Sequence, residues 1–274
     1  VTYLGALGYP AIHPVFAAFQ ERARVHSISG PGLTDALEFD DGKLMMGKHY
    51  TLKEVNWANI CERFGKERFA AQLGSADLVG FVNWTMLPYM SDIWAAVQRE
   101  IVPGLKGPRR KIFFDLADPE KRTPEDIRLA LDLITNFQSA FDVILGLNEK
   151  ETLEIGHVLD LPPPDDNWQD LAALALAIQQ VLRIDTLVVH PVTYALAVSN
   201  GRADVVAGPT CRKPKITTGA GDHFNSGFCL GKLLGLDNAG AVLCGVSTSG
   251  HYVRTAQSPQ VADLIQLMHH WPEA

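Results

Sequence analysis

Cysteine is scarce in this 274-residue chain: there are four, Cys61, Cys211, Cys229 and Cys244, and none sits in a C-x-x-C pair. Their spacing matches no zinc signature, and so few thiols in a chain this long read as small apolar side chains in a reducing compartment. Positive charge is also in deficit, with 24 Lys and Arg against 31 Asp and Glu and a net charge of −7. A general nucleic-acid binder needs a cationic surface to displace counterions, so no nucleic-acid partner is expected. Long apolar runs are missing as well. A bilayer span takes roughly 20 residues, whereas the best run, Leu171 to Ile178, goes straight into Gln179, Gln180 and Arg183. No charged stretch precedes an apolar run at the start, so neither a membrane segment nor a signal peptide is expected, and the expected location is the cytoplasm. No G-x-G-x-x-G follows the first apolar run, which argues against a dinucleotide-dependent dehydrogenase.

What is present fits a globular enzyme-sized core: 47% of residues are hydrophobic and 20% charged, ordinary values for one large α/β domain. Val1 to Leu7 reads as a strand that ends in a turn at Gly8, and Ala11 to Arg24 reads as a helix. Because the chain opens directly on a strand, the expectation is that residues upstream are missing. Leu33 to Met46 holds two short strands around Asp40-Asp41-Gly42, a hairpin turn. From Leu52 onward helices and strands alternate, with helices read over Leu52 to Leu73, Pro124 to Phe137 and Trp168 to Leu182 among them. The runs Leu78-Val79-Gly80-Phe81-Val82, Ile112-Phe113-Phe114 and Val143-Ile144-Leu145 are continuously apolar. Strands buried on both faces look like that, so the expected fold is α/β, a doubly wound and mostly parallel sheet with helices on both faces and a small β lid at 33–46. The stretch Leu161-Pro162-Pro163-Pro164-Asp165-Asp166 reads as a rigid solvated connection within it. In such sheets ligands bind beyond the carboxyl ends of the strands, which directs attention to the residues after each one.

The most informative stretch is Thr217-Thr218-Gly219-Ala220-Gly221-Asp222-His223-Phe224-Asn225-Ser226-Gly227-Phe228. Small residues open a helix whose first turn carries an acid. The first amides of a helix have no intrahelical acceptor and the aligned peptide dipoles make that end positive, so glycines there let a phosphate approach the backbone closely. An acid in the same turn can take a proton from an attacking hydroxyl while the amides stabilise the transferring phosphoryl group. The plain alternative is a glycine-rich turn with Asp222 supporting the helix dipole. Upstream, Asn148-Glu149-Lys150-Glu151 directly follows an apolar strand. It reads as an N-x-x-E string, with Asn at an N-cap and Glu three residues later as in a capping box. Asp115 to Arg122, after another buried strand, reads either as a polar segment facing the ligand or as a turn into the helix near Pro124.

The string from Thr217 to Phe228 resembles the C-terminal signature of the PfkB (ribokinase-like) carbohydrate and nucleoside kinases. The resemblance implies an ATP- and Mg²⁺-dependent phosphotransferase acting on an alcohol of a sugar, sugar derivative or nucleoside. It further implies Asp222 as catalytic base, Gly219, Ala220 and Gly221 as the anion hole, Thr217, Thr218 and Asn225 as nucleotide-binding, and Asn148 with Glu151 as the metal-organising pair. It extends over nearly the whole segment, the family's N-terminal portion excepted, and family lids that pair make a homodimer through the 33–46 hairpin an expectation. There are three departures, the first being that missing N-terminal portion. Ile216 replaces the aspartate that helps the family form a monovalent-cation site, and His190-Pro191-Val192-Thr193 replaces a glycine-rich turn that contacts nucleotide. These departures leave a second reading open, a nucleotide- or sugar-sensing module on the same scaffold.

Overall fold

The computed structural model describes residues 1–165 and 167–272; Asp166 of the proline-rich connection lies outside the described residues. The chain divides into two compact units, Val1–Ala76 with Asn83–Pro108, and Asp77–Val82 with Arg109–Ala274.

In the first unit, β1 (Thr2–Gly5) pairs in parallel with β2 (Arg24–Ser27). The helix expected over 11–24 is reduced to a 3₁₀ turn, Pro14–Phe16, and one helical turn, Ala17–Gln20. Pro14 suits the first helical position and so sets the start, while the pairing of β2 claims the other end, the Arg24 N–H donating to the Val1 carbonyl. The expected hairpin forms from β3 (Leu33–Phe39) and β4 (Gly42–Lys48), antiparallel, with Asp40 and Asp41 at the tip. Register places Leu33, Leu37 and Phe39 on the same face as Leu44 and Met46, because side chains alternate along a strand. All five are exposed.

The long helix read over 52–73 is instead broken into a 3₁₀ segment (Tyr50–Glu54), a helical turn (Trp57–Asn59), a π turn (Ile60–Phe64) and α1 (Lys66–Ser75). The last break falls at Gly65, whose φ of 99° a helix does not accommodate. Helix α2 (Met90–Glu100) buries Trp94, and its last residue ties the unit together, the Glu100 carboxylate accepting from Lys66 at 2.7 Å and from the Trp57 indole at 3.4 Å.

The second unit is built on a six-stranded sheet in the order β10-β9-β8-β7-β6-β5. Its strands are β5 (Leu78–Phe81), β6 (Arg110–Asp115), β7 (Phe141–Leu147), β8 (Thr186–Val189), β9 (Tyr194–Ser199) and β10 (Arg202–Ala207). The first four run parallel and the last two are antiparallel additions. The β9–β10 turn is Asn200-Gly201, both left-handed, as a two-residue hairpin requires. Helices α3 (Pro124–Phe137), α4 (Glu149–Val158), α5 (Trp168–Leu182), α6 (Ala220–Leu233), α7 (Asn238–Thr255) and α8 (Val261–His269) complete it.

Adjacent residues of β6 show why both faces are covered. Phe114 packs with Phe81 and Phe137 on one side, whereas Phe113 joins a core with Ile144, Val188, Phe224, Phe228 and Val242 on the other. Phe224 and Phe228 form the inner stripe of α6 and are 2% and 0% exposed; each contributes roughly 1.5–3 kcal/mol by leaving water. That anchorage fixes the helix whose N-terminus carries the motif. Helices α6 and α7 approach so closely that a Cβ on Gly231 would lie 2.6 Å from the Ala241 Cα.

Candidate active site

The site is assembled at the carboxyl edge of the parallel strands. Asp115 ends β6 and lies level with Gly146 of β7, Asn148 follows β7, and His190 follows β8, its N–H donating to the Leu147 carbonyl at 3.1 Å. Onto this edge α6 brings its N-terminus. Gly219 is its cap residue at φ 87°, and no side chain caps the helix. The amides of Gly221 and Asp222 meet no acceptor among the described residues. Such an end carries partial positive charge and presents donors to an anion. Asp222 sits in this first turn with its side chain exposed, and Thr217 and Thr218, also exposed, lead into it.

Asn225, one turn further on, is buried, and its amide donates to the Asp115 carboxylate at 2.7 Å. Its Oδ1 is buried with no partner. The other Asp115 oxygen accepts the Ala117 N–H at 2.8 Å. Burial, the nearby Glu151 charge and, less strongly, that of Asp222 push the Asp115 carboxyl up to about 6. Thus Asp115 feels the charges of Glu151 and Asp222, although the three come from three different elements.

Asn148 and Glu151 form the capping box in full. The Asn148 side chain accepts the Glu151 N–H at 2.9 Å, and Glu151 Oε2 accepts the Asn148 N–H at 2.8 Å. The remaining Glu151 oxygen accepts the Asp118 N–H at 2.8 Å. Ala117 and Asp118 are both left-handed, at φ 58° and 65°, a conformation that costs non-glycine residues energy and persists only where neighbours hold it. Asp115 and Glu151 are those neighbours, each accepting one of the two amides. Asp118 itself is bridged by Lys121 at 2.9 Å and by Lys150 at 3.2 Å, and the Lys121 hydrogen bond is the main cause that lowers its pKa.

His190 lies against the motif from below. Its ring stacks obliquely on Phe224 at 4.8 Å and comes within 3.3 Å of where a Cβ on Gly221 would stand. Burial lowers its pKa to about 4, so the imidazole is neutral. The histidine at 190 therefore places a ring beside the backbone of Gly221.

The structure brings the sequence-selected residues Asn148, Glu151, Gly219, Ala220, Gly221, Asp222 and Asn225 to one end of one sheet. Nothing in the sequence pairs Asn225 with Asp115, which stand 110 positions apart; the only available signal is an acid at the end of a buried strand.

The family model for prokaryotic ketohexokinase matches residues 1–271. The chain belongs to that family. A ketohexokinase of Haloferax volcanii is 30% identical over 261 residues, which cover 95% of this chain and 68% of the relative. Among solved structures, a PfkB protein from Polaromonas sp. JS666 superposes with a TM-score of 0.67 at 19% identity, covering 96% of this chain and 82% of the other. Ribokinase from Thermotoga maritima gives 0.66 at 14% identity, with 98% and 81% covered. Adenosine kinase from Schistosoma mansoni gives 0.72 at 13%, with 96% and 76% covered. These structural likenesses show the fold, which is ribokinase-like, and family membership makes the chain one of the PfkB-type kinases.

Proposed function

We propose that this protein transfers the terminal phosphoryl group of ATP to a hydroxyl of a sugar, and that the sugar is a ketohexose. The single observation that carries the reaction is Asp222, exposed in the first turn of a helix whose leading amides lack acceptors. A carboxylate there takes the proton of the attacking hydroxyl, and the amides of Gly221 and Asp222 receive the charge that develops on the phosphoryl oxygens. Thr217 and Thr218 lie where the nucleotide phosphates approach. The sugar class rests on the family model and on the curated relative, both named for ketohexokinase.

The donor set fits Mg²⁺ carried in with the nucleotide rather than a protein cage. No cluster of three or more His, Cys, Asp and Glu side chains able to hold a metal directly occurs among the described residues. Asn148 and Glu151 spend their contacts on backbone amides and each keeps acceptor capacity for water, so they would face the ion's hydration shell. When bound, Mg²⁺ supplies neutralisation of the β- and γ-phosphate charge. Among the described residues no helix is long and apolar enough to cross a membrane, and we place the protein in the cytoplasm, with a second copy paired through the exposed apolar face of the β3–β4 hairpin.

ADP release over a panel of ketohexoses, aldoses and nucleosides tests the reading. Turnover is expected on a ketohexose, and D222N is expected to lower it by orders of magnitude with little change in ATP affinity. Unchanged turnover in D222N removes Asp222 from the chemistry. ATP binding with no turnover on any acceptor favours the sensor module.

A further inference from the structure

Two aromatic side chains, one inside the signature and one on α7, hold the backbone on which the free amides depend. The Ala220 N–H donates to the Thr217 carbonyl at 3.1 Å, and Gly219 between them has φ 87° and ψ 1°, the geometry of the third residue of a type II turn. Types I and II differ by a flip of the peptide joining the two central residues, here Thr218 and Gly219. Glycine in the third position tolerates either form, so the residue does not choose between them.

Tyr252 chooses. Its hydroxyl, reaching from α7, donates to the Thr218 carbonyl at 3.0 Å. The C=O and N–H of a trans peptide point in opposite directions. Pinning that carbonyl toward Tyr252 therefore turns the Gly219 N–H the other way, where it meets no acceptor among the described residues. His223 holds the next peptide: its Nδ1 lies 2.7 Å from the Gly219 carbonyl oxygen, a contact that requires the proton on Nδ1. The far nitrogen lies 2.9 Å from the Ser258 hydroxyl. The imidazole rests flat on the Tyr252 ring, centroids 3.6 Å apart and planes 11° from parallel, so each ring limits the rotation of the other.

We propose that Tyr252 and His223 are positioning residues for phosphoryl transfer, holding the 217–220 turn in the orientation that adds the Gly219 amide to those of Gly221 and Asp222. The proposal rests on reading this end of α6 as the phosphate site. It also accounts for Gly219, since a Cβ there would stand 3.3 Å from the Tyr252 hydroxyl in a left-handed conformation.

Y252F keeps the ring and the stack and removes one O–H. Its kcat is expected to fall about tenfold or more, in the range set by loss of a transition-state donor, while acceptor KM stays within about twofold. H223A is expected to lose a similar factor. H223S, whose hydroxyl can donate to the carbonyl four residues back, is expected to recover most of it. Because both rings act on one turn, Y252F/H223A should lose less than the product of the single effects. A second readout needs no turnover: with ¹⁵N-glycine labelling, inorganic phosphate should shift the Gly219 amide in the parent protein and not in Y252F.

Equal kcat and an equal Gly219 response in Y252F overturn the proposal, as do variants that lower thermal stability while kcat per folded molecule holds. If the parent protein shows no turnover on any acceptor while the Gly219 response is lost in Y252F, the kinase reading falls and the brace stands.

Discussion

Asn225 donates from α6 to Asp115 at the end of β6, a 2.7 Å bond that ties the signature helix to the strand edge. It is the contact by which two distant segments become one site, and it partly offsets the burial and Glu151 charge that raise the proton affinity of the half-buried Asp115.

That shift has a sign that can be measured. Asp115 rises from an ordinary 3.8 to about 6 in the folded protein, so the folded state binds the proton more tightly than the unfolded chain. Its contribution is most favourable below the ordinary value and is lost as pH rises through about 6, a cost of about 3 kcal/mol at higher pH. D115N removes the charge, and Asn225 can rotate to offer its unpartnered Oδ1 to the new amide. Urea denaturation should show D115N more stable than the parent by roughly 1–3 kcal/mol at pH 8 and nearly equal to it near pH 4. An equal difference at both pH values contradicts this account.

Glu151 closes a capping box and is proposed to face the hydrated ion, and one variant separates the two roles. E151Q puts an amide where the carboxylate accepts the N–H groups of Asn148 and Asp118. Loss of an acceptor for a buried amide predicts a stability loss of about 1–3 kcal/mol. If the residue also faces the hydrated ion, the Mg²⁺ concentration needed for half-maximal turnover should rise several-fold. Lower stability with an unchanged Mg²⁺ requirement would make Glu151 a capping residue alone.

The hairpin face predicts assembly. Leu37 and Leu44 stand opposite each other, 45% and 53% exposed, at the centre of an apolar face that a second copy would cover. Sedimentation should find a dimer for the parent protein and a monomer for L37E. A monomeric parent protein at micromolar concentration ends the dimer proposal.

Ile216 predicts indifference to potassium. Its side chain offers no oxygen where the resembled kinases carry an aspartate, so turnover should be the same in K⁺ and Na⁺ at equal ionic strength. Stimulation of more than about twofold by K⁺, beyond what general screening produces, would contradict this.

Much of the molecule was legible in the linear chain. The runs Ile112–Phe114 and Val143–Leu145 announce strands buried on both faces, and α3 and α5 have the bounds that apolar periodicity assigns, because burial patterns are local and repeat at the period of the element. The string from Thr217 to Asp222 likewise marks a turn and a helix start through local backbone preference, though not which way the 218–219 peptide faces. The breaks at 50–65 were not legible: the last falls where Gly65 adopts a φ of 99°, and Lys66 and Trp57 on either side of it are tied to Glu100 of α2. Nor were the contacts that complete the site. Asn225 with Asp115, Glu151 with the Asp118 amide, and Tyr252 with the Thr218 carbonyl join residues on separate elements, and no periodicity records such pairs. The sequence by itself determined which elements form and where a helix offers bare amides. Tertiary packing alone decided which carboxylates come close enough to shift Asp115 and which rings steady the turn, because those energies depend on distances through space rather than along the chain.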